Sequence, residues 1–236
     1  MHRGRLLGVS DAVTANAQSS IDAVRAVIRE AEEGAHRPPG SVHLLAVSKA
    51  RTAAEIRTAH SHGLRHFGEN YAQEAIAKVR ALADLDITWH FIGAIQSNKT
   101  RDLARHFQWI HTVDRAKIAR RLSAQAECDL DVCIQVNIDG EPQKAGIHPA
   151  YVPALVRSIL ELPRLKLRGL MVIPAPGDPR ASFSRTRGLF NALAPIAGAH
   201  WDTLSMGMSD DFADAIGEGA TLVRIGTAIF GPRTGA

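Results

Sequence analysis

Residues 44–49 read LLAVSK and residues 221–231 read TLVRIGTAIFG. Short apolar runs of this kind, closed by a polar residue or a glycine, are the pattern of a strand buried on both faces of a parallel sheet. Six more stand between them: LRHFGEN (64–70), TWHFIG (88–93), WIHTV (109–113), DVCIQVNI (131–138), LKLRGLMVI (165–173) and TLSMG (203–207). The intervening segments have a helical period. Val152, Leu155, Val156 and Ile159 fall at i, i+3, i+4 and i+7, and Ile118, Leu122 and Ala126 repeat every four residues behind Asp114, the expected N-cap. Eight strands paired with helices in 236 residues predict a closed (β/α)8 TIM barrel, for which ~250 residues are typical. A doubly wound open sheet is the alternative.

Ahead of the first strand, Ile21, Val24, Ile28 and Ala31 predict an extra N-terminal helix over 11–33. GAHRPPG then ends it, because glycine and two prolines cannot continue a helix. With no Pro/Ser-rich linker or low-complexity tract, residues 1–236 are expected to form one domain, with helix and loop over 1–43 and barrel over 44–233.

Composition narrows the function. Hydrophobic residues make up 45% and charged residues 22%, which excludes disordered, collagen-like and coiled-coil chains. The 28 Lys+Arg against 24 Asp+Glu leave +4, enough to favour an anionic ligand but too dispersed for a nucleic-acid stripe. Arg115, Lys117, Arg120 and Arg121 form the densest basic cluster, expected on the solvated face of a helix. Cys128 and Cys133 have neither zinc-site spacing nor the number for a disulfide scaffold, so no metal is expected. The opening MHRGRLLGVSDAV is too soon interrupted for a signal peptide and no run approaches a membrane span. The expectation is a cytoplasmic protein without membrane or nucleic-acid partners.

In a parallel barrel the functional face is the C-terminal end of the strands. The first run ends there in Lys49, where a buried ammonium is costly and burial favours the free amine that attacks aldehydes; a lysine snorkelling outward is the plain alternative. The last two runs lead into SMGMS (205–209) and RIGTAIFG (224–231). Gly207, Gly226 and the amides around Ser205 and Thr227 suit a phosphate, which barrels commonly hold after strands seven and eight. A lysine across the mouth from a phosphate cup fits a phosphorylated aldehyde held as a Schiff base. Pyridoxal 5'-phosphate (PLP) is such a molecule.

Eight blocks in order along the chain also resemble the YggS/PROSC family of pyridoxal-phosphate-binding proteins, the PLP homeostasis proteins, whose fold is similar to the barrel domain of alanine racemase. They are AVSK (46–49), FGENYAQEA (67–75), WHFIGAIQSNK (89–99), IHTVD (110–114), QVNI (135–138), LRGLMVIPAP (167–176), LSMGMSDDFADAI (204–216) and VRIGTAIFGPR (223–233). The resemblance implies that Lys49 carries PLP as a Schiff base, that Ser205, Gly226 and Thr227 form the phosphate cup beside Gly207, and that Arg224 meets the pyridine nitrogen. It further implies that Asn70, His90 and Met206 line the ring. A hydrogen-bonded core histidine is the alternative for His90, and an internal salt bridge that for Arg224. The chain departs from the family at Ala50, Arg51 and Thr52, where a Lys-Pro-like helix start is usual, and in a tail, Arg233 to Ala236, without a lysine run. Lys144 matches a lysine the family carries outside the mouth; solvation is the expectation for it, with a secondary PLP site as the alternative.

Arginine is permanently charged and only donates hydrogen bonds, so Arg224 facing the ring nitrogen leaves that nitrogen unprotonated and the ring a poor electron sink. Racemases with such an arginine add a tyrosine acid/base from a second domain, whereas this chain has two tyrosines, Tyr71 and Tyr151, and ends with the barrel. The expectation is a monomeric carrier with no catalytic residues that limits free aldehyde and supplies PLP to apo-enzymes. An amino-acid racemase and a cofactor-free Schiff-base aldolase are the alternatives.

Overall fold

The structure, a computed structural model, describes residues 9–232. The opening MHRGRLLG and the tail from Arg233 to Ala236, which carry the expectations about a leader and a terminal lysine run, lie outside these residues. Eight parallel strands close into a barrel in sequence order, β1 (His43–Val47), β2 (His66–Glu69), β3 (Thr88–Phe91), β4 (Trp109–Val113), β5 (Leu130–Gln135), β6 (Leu165–Met171), β7 (Thr203–Ser205) and β8 (Leu222–Ile225). Closure is made by β1 pairing with β8, Leu45 opposite Arg224.

Helices alternate with the strands: α2 (Ala53–Ser61), α3 (Ala72–Ala81), α4 (Thr100–His106), α5 (Ala116–Gln125), α6 (Val152–Leu160), α7 (Pro179–Leu193) and α8 (Phe212–Gly217). Each turns its apolar stripe onto the sheet. Val152, Leu155, Val156 and Ile159 are all buried, as their spacing requires. A fully buried side chain of this size contributes about 1.5–3 kcal/mol, and such residues fill the layer between sheet and helices. The outer face of α5 carries Lys117, Arg120 and Arg121 in solvent, and Arg115 is exposed just ahead of it.

The extra helix α1 (Val9–Gly34) covers the barrel beside α2 and α8. Its Glu32 is buried and accepts hydrogen bonds from Gly40 N, Ser41 Oγ and Val42 N, which clamps the proline-containing loop that leads into β1. Arg37 on that loop donates to the carbonyls of Ile216 and Ala220 at the C-terminal end of α8.

Two local expectations are corrected. Asp114 does not cap α5: the N-cap is Arg115, without a side-chain cap bond, and the Asp114 carboxylate accepts from the Arg115 guanidinium instead. The eighth run is not one strand to residue 231, because β8 stops at Ile225 and residues Thr227–Phe230 turn into a helical segment, α9. An apolar stretch such as TAIF fits either structure, and Gly226 lets the chain turn.

Candidate functional site

Lys49 follows β1 in a turn whose next residue, Ala50, has φ +58. A non-glycine residue there costs about 1–2 kcal/mol, so something must hold the turn. Glu74 Oε1, on α3, accepts from Ala50 N at 2.8 Å. Lys78 Nζ, one turn further along α3, donates to Glu74 Oε1, to Glu69 Oε1 at 2.8 Å and to the Ser48 carbonyl at 2.8 Å. Ser48 Oγ completes the cluster by donating to Glu69 Oε1 at 2.6 Å. Three acceptors saturate the ammonium. Burial pushes the Glu69 carboxyl above its ordinary range even so, with Lys78 and Ser48 opposing.

At the other side of β1, the turn into α2 is fixed by a capping box between Thr52 and Glu55, and buried Arg51 donates to the carbonyls of Gly231 and Pro232. The residues that depart from the family pattern thus tie α2 to the chain after α9. Lys49 is half-buried and shares strand parity with Leu45, whose side chain lies 3.2 Å from a Cβ placed on Gly68 of the neighbouring strand β2. Since β1 and β8 are neighbours, Lys49 stands beside the loop after β8 rather than across the mouth from it.

That loop follows Arg224, which is 3% exposed. Its NH1 donates to the Ser205 carbonyl at 2.6 Å and to Ser205 Oγ at 3.0 Å, and its NH2 to the Val172 carbonyl at 2.9 Å. None of these acceptors is a carboxylate, so the internal salt bridge is not how this cation is held. Burial lowers its pKa to about 10, Asp211 opposing, and the guanidinium stays charged at neutral pH.

Beneath it runs a column that the sequence reading caught only at His90. His111 Nδ1 lies 2.8 Å from Ser205 Oγ, His90 Nδ1 lies 2.9 Å from His111 Nε2, and His66 Nδ1 lies 2.9 Å from His90 Nε2. The column descends to the N-terminal end of the barrel, where His66 is half-buried near exposed His43. Trp109 stacks on His90 there, and the Arg168 guanidinium lies over the indole at 4.6 Å from its centroid. Burial, with the neighbouring charge of Arg224, lowers His111 to about 3, and burial takes His90 well below its ordinary value.

The mouth is finished by loop backbone. Gly207 has φ +91, and a Cβ on it would stand 2.6 Å from Ala215 Cβ, so only glycine turns the chain after β7. A Cβ on Gly93 would lie 1.9 Å from the Asn70 carbonyl, so the loop after β3 presses directly on Asn70. Half-buried Asn70 keeps a buried Oδ1 with no hydrogen-bond partner among the described residues. Half-buried Gly226 and exposed Thr227 open α9, whose first amides have no partners within the helix.

The family described as alanine racemase, N-terminal domain, matches residues 19–234. The chain belongs to this family. Within it, the chain is 56% identical to the pyridoxal phosphate homeostasis protein of Pseudomonas aeruginosa, over 91% of this chain and 94% of that one. Identity to the protein of the same name from Escherichia coli K12 is 48%, covering 89% and 94%. Among solved structures, PipY of Synechococcus elongatus without PLP superposes with a TM-score of 0.82 at 41% identity, covering 91% of this chain and 99% of PipY. PipY with PLP bound gives 0.79 at 38%, covering 91% and 100%.

Against the residues expected of this family, the barrel brings Lys49, Asn70, Arg224, Gly226 and Thr227 to the C-terminal ends of β1, β2 and β8, with Gly207 in the loop after β7 at the same end. Three are placed differently. Met206 is fully buried in the apolar layer outside the sheet, because strand alternation turns it away from the interior that Ser205 faces. The Ser205 hydroxyl is engaged beneath the cup, between His111 and Arg224. His90 is 1% exposed and is the second imidazole of the column below Ser205, after His111, which is the hydrogen-bonded core reading. Lys144, expected in solvent, donates to the Pro174 carbonyl at 2.7 Å and pairs with Glu141, joining the loops after β5 and β6.

Proposed function

We propose that this chain binds PLP at the barrel mouth, holds it covalently on Lys49 as a Schiff base, and supplies it to apo-enzymes without turning over amino acids of its own. The observation that carries the reading is Arg224: a buried guanidinium whose acceptors among the described residues are all neutral, on the strand next to the one that leads to Lys49. A buried cation is stable when its donors are met, and the pyridine nitrogen is an acceptor of the required kind. The orphaned Asn70 Oδ1 and the open amides of Gly226 and Thr227 fit the rest of the same molecule, a ring with polar substituents and a phosphate. The names of the relatives, pyridoxal phosphate homeostasis protein, and PipY with PLP bound support it from outside the chain.

When bound, PLP supplies an aldehyde that condenses with an amine, releasing water. The protein's part is positional. The Glu69–Lys78–Glu74 cluster fixes the turn that presents the Lys49 amine, Thr227 and the Gly226 turn receive the phosphate, and Arg224 donates to the ring nitrogen. A permanent cation there withholds the ring proton on which carbanion stabilisation depends. Tyr71 and Tyr151 are 64% and 66% exposed, so neither is packed as an opposing acid over the ring.

We read the chain as one domain acting as a monomer in the cytoplasm. Cys128 and Cys133 are both unpaired, which suits a reducing compartment. Among the described residues no helix is long and apolar enough to cross a membrane. Two assays on one preparation test the function. The holo-protein mixed with an apo-PLP enzyme restores that enzyme's activity, while α-carbon deuterium exchange into L-alanine stays near the rate of free PLP. Rapid stereospecific exchange overturns the carrier reading in favour of a racemase.

A further inference from the structure

The column below Arg224 has more order than its distances alone convey. Arg224 donates to Ser205 Oγ and has no lone pair to offer in return. Ser205 Oγ could accept twice, but among the described residues its own proton has one acceptor within reach, His111 Nδ1, so the order that leaves no polar group unmet sends the proton there. An imidazole accepting at Nδ1 carries its proton on Nε2, which faces His90 Nδ1. The same step repeats: His90 accepts at Nδ1, donates from Nε2 to His66 Nδ1, and leaves His66 with its proton on Nε2 at the barrel floor. One donor at the top fixes three tautomers.

We propose that Arg224, Ser205, His111, His90 and His66 form a proton-ordered chain in which every imidazole is the neutral Nε2–H tautomer, and that His111 is thereby a positioning residue for the arginine. The role of the chain rests on the reading of Arg224 as the partner of the PLP ring nitrogen; its proton order does not. Hydrogen bonds pointing the same way polarise one another. A serine that donates to His111 is a better acceptor for the guanidinium, so the chain steadies Arg224 from below.

No carboxylate enters the chain. His111 meets Arg224 electrostatically, and His90 meets His111, His66 and His43, all of which oppose a second proton. A charged imidazole would reverse one link and set a cation against Arg224. The reversed order also deprives the Ser205 proton of its acceptor. The structure thus favours one direction for both reasons.

Two measurements test this. In protein labelled with 15N-histidine, without ligand at pH 7, His66, His90 and His111 should all show the Nε2–H pattern, assigned through single variants; an imidazolium or an Nδ1–H form at His90 or His111 overturns the proton order. For the positioning role, affinities are compared for PLP and for its carbocyclic analogue with CH in place of the ring nitrogen. His111→Phe should reduce the preference for PLP over the analogue by about tenfold, the size of one buried hydrogen bond, and His111→Asn, which keeps an acceptor for Ser205, should restore most of it. Equal weakening of both ligands overturns the role, because lost packing does not distinguish the two rings. If the wild-type protein binds neither ligand, the cofactor reading fails and the positioning role with it, whereas the tautomer pattern still decides the proton order.

Discussion

The two ends of the site are held by opposite means. The Lys49 turn rests on charge, one ammonium shared between two carboxylates and a carbonyl, with Glu69 buried against Lys78. Arg224, one strand away, rests on neutral groups: two carbonyls, a hydroxyl and, behind the hydroxyl, imidazoles kept uncharged. The difference follows from what each end must do. The lysine end has to hold a strained backbone turn, and ion pairs in a dry layer between sheet and helix do so rigidly. The arginine end has to keep a cation available to a ligand, and a carboxylate partner would cancel the charge the ligand is to meet.

The contrast is broken most severely at Lys78. Lys78→Ala leaves Glu69 buried without its counter-charge, which costs about 3–5 kcal/mol of stability, read by urea unfolding. Lys78→Met with Glu69→Gln should lose much less, since no charge is then stranded. Equal losses in the two variants would mean that the cluster acts through packing.

The neutral end is sharpened by pH. His111 titrates at about 3 in the folded protein, whereas in the unfolded chain it returns to about 6.5. The unfolded chain therefore binds more protons between those values, so stability is full above about pH 6.5 and falls as pH drops toward 3. His90 adds to the same slope. His111→Asn should remove about 1.2 kcal/mol of that loss between pH 6 and 5. An unchanged slope would show that His111 is not held neutral.

The smallest effect belongs to the mouth. Thr227→Val deletes one hydroxyl at the start of α9, and PLP should bind more weakly by about 0.5–1.5 kcal/mol, with binding of pyridoxal, which lacks the phosphate, unchanged. Equal loss for both aldehydes would remove Thr227 from the phosphate cup.

Much of this was legible in the chain. Strands buried on both faces read as apolar runs, so all eight stood out, and Lys49 and Arg224 fell at or beside strand ends. TAIF (227–230) misled because a short run of one threonine and three apolar residues suits a strand or a helical turn equally. Met206 and Ser205 were assigned by motif, and only the in-out alternation of a strand seen in place separates their faces. Glu74 and Lys78 are an i,i+4 pair on α3, visible as such, but nothing local joins them to Glu69 or to the Lys49 turn. The histidine column did leave a signal. His66, His90 and His111 are spaced 24 and 21 residues apart, one βα unit each, at positions where aliphatic side chains usually fill a barrel.

The central claim is that Lys49 is the residue that carries PLP. Purified holo-protein is reduced with borohydride, digested and mapped by mass spectrometry, with Lys49→Ala treated in parallel. The pyridoxyl group is expected on the peptide containing Lys49, and the variant should be colourless and unlabelled. Label found chiefly on Lys99 or Lys144, or retained in Lys49→Ala, would contradict the account.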